Sequence, residues 1–181
     1  NEDHDWWGYA EGKGAYLDRI EYIDYGTDPS AWVAAAAADE VDMTYETVGD
    51  FVEVFNGIGW EESAVASAAT IVIRPNQLAE VDGVKPYEDK RVRQAIAMAV
   101  DNAVCLELGY ANQGVPARNQ HVGPMHPAWA DVPGLPHDPA KALELLTEAG
   151  MQDFEFEITS IDDDWRKNTT DSVAAQLRDA G

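Results

Sequence analysis

A single cysteine, Cys105, stands in the 181 residues, so no disulfide can form within the chain. The apolar residues around it recur at helical spacing, which assigns the thiol to core packing. Basic residues are scarce: 12 Lys and Arg face 34 Asp and Glu, for a formal net charge of -22. A phosphate backbone is bound by clustered Lys and Arg that displace counterions, and Arg91 with Arg93 is the nearest approach to a cluster. Nucleic acid is therefore not an expected partner, and neither is an anionic membrane surface. The acid excess suits salty surroundings, where a Debye length of roughly 8 Å or less screens self-repulsion. It equally suits a generally acidic set of secreted proteins. No apolar run approaches the ~20 residues of a membrane span, so direct membrane insertion is not expected. No signal-peptide pattern opens the chain, which starts Asn1-Glu2-Asp3-His4-Asp5 and ends at Gly181 after a helix-like stretch. Both ends read as cut.

What remains is ordinary globular material, 45% hydrophobic and 25% charged, in which strand-like and helix-like stretches interleave. The stretch Ala15 to Tyr25 is rich in aromatic and β-branched residues and runs into Gly26, as a strand entering a turn does. Asp28-Pro29 then opens an alanine-rich helix over 30–38, with Pro29 in the first turn, where its missing N–H costs nothing. Val41 to Met43 reads as a short strand, and Thr47 to Asn56 as a weaker helix closed by Gly57. Thr70 to Arg74 is a continuous apolar run of the buried-strand kind, stopped by Pro75. A polar loop leads to one long amphipathic helix over 90–108, in which Val92, Ala95, Ile96, Ala99, Val100 and Ala103 recur at steps of three and four. Residues 112–139 carry six prolines and no periodicity, a loop length that is usually functional. Asp138 caps the next helix with Pro139 in its first position, and Gly150 ends it. Phe154 to Thr159 alternates as a half-buried strand, and a last helix covers 169–180. The expected class is α/β.

Catalytic readings are weak. Gly8…Gly12-Lys13-Gly14 precedes a strand-like stretch instead of linking strand to helix, so it is no phosphate loop. There is no GxSxG elbow, and Ser172 has no neighbouring His. Asp162-Asp163-Asp164 reads as a solvated, N-cap-like turn, without the spacing and later Glu of a calcium loop. His121 and His126 lie five apart with no Cys, so zinc is not expected; His121, in the proline-stiffened loop, is a candidate to line a ligand cleft. Trp165, between the acidic turn and a helix, is either core or a ligand platform. No catalytic residue, metal or cofactor is expected, and a small hydrolase using the acidic turn and His121 is the weaker alternative.

Arg91-Val92-Arg93-Gln94-Ala95-Ile96 with Ala99-Val100-Asp101 resembles the family 5 extracellular solute-binding proteins, the dipeptide, oligopeptide and nickel receptors of ABC importers. Tyr16-Leu17-Asp18-Arg19-Ile20, Ala36 to Met43, Gly114-Val115-Pro116-Ala117, Pro124-Met125-His126-Pro127 and Asp138 to Gly150 follow in the family's order. The resemblance implies part of a two-lobed periplasmic-binding-protein clamp, with 1–84 as the end of the first lobe and 85–181 as the first part of the second. It implies that the chain is an internal piece of a substrate-binding component that captures a short peptide or similar polar solute between the lobes. A nickel-complex or other small-solute receptor on the same scaffold is the alternative. Its partners would be that solute and a membrane permease. Its location would be periplasmic, or extracytoplasmic with a lipid anchor. The run Thr70 to Asn76 would be the crossover strand beside the ligand. Thr70, Val72 and Arg74 would share one face by period-two alternation, followed by Asn76. Arg74 would fork onto a peptide carboxylate. Trp165 would face the ligand from the second lobe.

Overall fold

The computed structural model describes residues 7–14, 16–67 and 69–181. Its regular elements are helical: α1 (Trp7–Ala10), α2 (Pro29–Ala37), α3 (Phe51–Gly57), a 3-10 turn (Pro86–Glu88), α4 (Lys90–Ala99), α5 (Asn102–Tyr110), α6 (Pro139–Glu148) and α7 (Asp164–Asp179). Five of the helices start the same way. Asp28, Asp89, Asp101, Asp138 and Asp163 each accept a hydrogen bond from a first-turn backbone N–H, at 2.8 to 3.0 Å. Each such cap satisfies an orphan donor and opposes the positive end of the helix dipole. Part of the acid excess is thus spent on starting helices.

The long helix expected over 90–108 is two. Val100 is extended (φ -106°, ψ 123°), and Asp101 turns its carboxylate onto Ala103 N–H to start α5. The backbone N–H freed at the break is taken by Gln176 Oε1 of α7 at 2.7 Å. A helix interior would leave that Asp101 carboxylate without its cap, so the local side-chain bond wins over continuity. The last helix also starts five residues earlier than 169, because Asp163 caps it and pairs with Arg166 one turn on. α4 packs on α6 and touches α7, and α5 packs on α7. The core is small: Ala95, Met98, Ala99 and Ala142, flanked by Leu145, Leu146, Leu177 and Ala180. Where α5 meets α7, Gly109 lies so close to Thr169 that a Cβ there would overlap the threonine hydroxyl.

The α/β expectation is overturned. Among the described residues there is no β-strand, and the single bridge, Val81 to Val84, closes the tight turn at Asp82 (φ 51°) and Gly83 (φ 79°). The stretches 16–25 (Ala15 lies outside the described residues), 41–43, 70–74 and 154–159 are neither helical nor paired. Their composition suits strands, but a strand exists only when a neighbour takes up its N–H and C=O groups. With the strands goes the clamp. A two-lobed mixed α/β receptor that captures a short peptide, nickel complex or similar polar solute between its lobes is not what this helical chain forms.

Candidate functional site

Aromatic and charged side chains meet at the start of α7. Asp163 caps that helix, which places Trp165 and Arg166 in its first turn. Arg166 folds back to pair with the Asp163 carboxylate and lays its guanidinium 3.9 Å from the centre of the Trp165 ring. The geometry combines a cation over a π face with a half-buried ion pair. Tyr110, the last residue of α5, meets Trp165 edge-on with ring centroids 5.1 Å apart. That contact exists because the absence of a side chain at Gly109 lets α5 and α7 approach closely.

Tyr110 also reaches the other part of the chain. Its hydroxyl donates to Glu46 Oε1 at 3.0 Å, and Gln113 Oε1 accepts from Gly49 N–H at 2.9 Å. Burial first, and then the hydrogen bond to Glu46, pushes the Tyr110 phenol up to about 12. The cluster therefore holds one cation, two carboxylates and two aromatic rings. It can offer donors to a carboxylate, acceptors to an ammonium group, and aromatic faces to an apolar stem.

Of the residues expected at the site, Trp165 is half-buried within this cluster. Thr70, Val72 (51% exposed), Arg74 and Asn76 lie together on an exposed, unpaired segment. There Asn76 Oδ1 accepts from Leu78 N–H at 3.0 Å, a local turn that uses its side chain. Arg74 has no hydrogen-bond or ion-pair partner among the described residues. His121 is exposed in the proline-rich loop, with no hydrogen bond or ion pair to Trp165 or to the 70–76 segment among the described residues. The sequence alone does not single out Tyr110, Arg166 or Glu46. The spacing of Asp163 and Arg166, one turn apart, is the only local signal that pointed to any of them.

Elsewhere, Cys105 is half-buried on α5, with Gln176 Nε2 at 3.4 Å and Ser172 Oγ at 3.7 Å from its sulfur. Both neighbours are polar side chains on α7. Among the described residues no three His, Cys, Asp or Glu side chains converge as a metal site would require. No helix among them is long and apolar enough to cross a membrane.

The chain belongs to the bacterial extracellular solute-binding proteins, family 5, whose middle-region model matches residues 1–181. It is 38% identical over 69 residues to the heme-binding protein A of Haemophilus influenzae, a match covering 36% of this chain and 12% of that protein. It is 38% identical over 68 residues to the dipeptide-binding protein of Escherichia coli, covering 38% and 13%. With a glutathione-binding protein of Salmonella typhimurium it shares 37% over 70 residues, again covering 38% and 13%. The matches thus span about an eighth of the length of these relatives. No solved structure matches the chain.

Proposed function

We propose that the chain takes part in recognising a small polar solute outside the cytoplasm, with short peptides as the solute class, and acts as a binder and not as an enzyme. Family membership across residues 1–181 carries the reading. Relatives named for a dipeptide and for glutathione support the peptide class. The expected location is periplasmic, and the expected protein partner is a membrane permease. Recognition would occur on the Trp165, Tyr110 and Arg166 surface and not by closure of two lobes. Arg74, without a partner among the described residues, offers a second guanidinium for a carboxylate. The site's carboxylates have structural partners: Asp163 caps a helix and Glu46 holds a tyrosine.

The test is a thermal shift. A dipeptide added to the natural protein should raise Tm, because a ligand bound only by the native state stabilises it by RT ln(1 + [L]/Kd). Trp165→Ala should abolish most of the shift. Arg74→Ala should weaken binding by about 1.5–3 kcal/mol if its guanidinium meets a charged partner. An unchanged Tm at millimolar dipeptide would sink the peptide reading. A full shift in the Trp165 variant would move the site elsewhere.

A further inference from the structure

One run in α7 is not explained by packing. Asn168-Thr169-Thr170 places three poor helix formers in succession inside a 16-residue helix. Thr169 has a structural reason: it is buried against Gly109, and its hydroxyl donates to the Trp165 carbonyl at 2.7 Å. Asn168 has none. It is exposed, and its side-chain amide has no hydrogen-bond partner among the described residues. α7 buries Thr169, Ser172 and Val173 toward the other helices, while Asn168 and Asp171 are exposed. A group attached at Asn168 would therefore project into solvent and leave the α5–α7 contact untouched.

Asn168 is also the only asparagine in the chain with Ser or Thr two positions on and no proline between. That is the acceptor pattern for N-linked glycosylation. We propose that Asn168 is an N-glycosylation site, modified outside the cytoplasm by transfer of a glycan from a lipid-linked sugar phosphate. In the transfer, Nδ2 of Asn168 forms a bond to the anomeric carbon of the sugar. The bond from that carbon to the lipid phosphate oxygen breaks, the lipid phosphate leaves with the electron pair, and the amide gives up one proton. No oxidation or reduction occurs. Thr170, not the buried Thr169, supplies the hydroxyl that the acceptor pattern requires. The inference rests on the extracytoplasmic location argued above, and its test separates the two.

The experiment fractionates native cells and reads the tryptic peptide 168–178 by mass. Trypsin cuts after Lys167 and Arg178, so the peptide contains the whole acceptor pattern and no other asparagine. In protein recovered from outside the cytoplasmic membrane, it should carry the mass of one or more sugar residues on Asn168. Asn168→Gln and Thr170→Ala should each remove that mass, and Thr170→Ser should keep it. Circular dichroism of the variants, compared with the parent, confirms that loss of sugar is not loss of fold. An unmodified peptide in externally located protein would overturn the glycosylation site and leave the location standing. Recovery of the protein only from the cytoplasm, with the peptide bare, would overturn both. Sugar retained in Thr170→Ala would overturn the acceptor pattern as the cause.

Discussion

The two parts of the molecule are built from similar apolar residues, yet they bury them differently. After residue 85, Val92, Ala95, Ile96, Met98, Ala99, Val100, Ala142 and Val173 are buried among four helices. Before it, only Ala35, Ala36 and Phe55 are buried hydrophobics among the described residues. Tyr16, Leu17, Ile20, Tyr22, Met43, Tyr45 and Val65 there are more than half exposed. The difference follows from how each element satisfies its backbone. A helix closes its own hydrogen bonds and needs a neighbour only for its apolar stripe. A strand-like segment needs a partner for its backbone before it can become a strand and bury one face fully. The helices of the later part meet their requirement from within; the strand-like segments, three in the earlier part and 154–159 in the later, find no backbone partner in the described chain.

The comparison breaks first at Gly109. If the later part is a true packed core, Gly109→Ala should cost roughly 1–3 kcal/mol, since the new methyl collides with Thr169 and moves α5 off α7. Gly57→Ala, in the earlier part, meets open space and should leave the main unfolding transition where it is. Thermal melts of the two variants decide it. A rise in the midpoint for Gly57→Ala, the effect of a helical Gly→Ala coupled to the main transition, would mean that the two parts unfold as one cooperative unit, and no shift at Gly109 would mean that the α5–α7 contact is not formed.

The helix caps sharpen the same contrast at lower magnitude. Asp101 and Asp28 make the same cap, at 2.8 and 2.9 Å. Replacing either with alanine removes a bond worth about 1 kcal/mol to its helix. Asp101→Ala should lower the midpoint of chemical unfolding, because α5 belongs to the packed set. Asp28→Ala should reduce the helical circular dichroism of the earlier part with little change in that midpoint. A midpoint shift of the same size in both would show that α2 is coupled to the core through Glu46 and Gly49.

Local signals were readable and non-local ones were not. Asp28-Pro29 and Asp138-Pro139 announce their helices because cap and first-turn proline sit side by side, and α2 and α6 begin where those pairs put them. The break at Val100 was hidden because the three- and four-residue apolar rhythm runs straight through it. What stops the helix is a cap bond and the side chain of Gln176, 75 residues away. The alternation of Phe154, Phe156 and Ile158 with Glu155 and Glu157 survives as half-buried against exposed positions, but alternation says nothing about a partner strand. Trp165 was legible as an aromatic at the start of a helix. Tyr110 was not, since its meeting with Trp165 depends on the approach of α5 and α7 at Gly109.

Tyr110 provides the finest test, because with Gln113 it reaches from the later helices to the earlier part. Its phenol is pushed from 10.0 up to about 12, by burial first and by Glu46 second. The sign follows from proton counting. Between those values the folded state keeps the proton that the unfolded state has lost, so stability falls as pH rises. The contribution is complete below pH 10 and is lost as pH climbs toward 12. Tyr110→Phe removes the titrating group, so its stability should fall less steeply than the parent's across that window. Glu46→Gln removes the negative charge but leaves the burial, so it should lower the tyrosine's titration only part of the way toward its ordinary value. Tyrosinate absorbance, taken as the difference between each protein and its Tyr110→Phe counterpart, reads the titration directly. If Glu46→Gln leaves it unmoved, the hydrogen bond between the two parts does not exist in solution, and the core ends at α5. A partial fall places Glu46 on the phenol and ties residues 44–49 to the helical core.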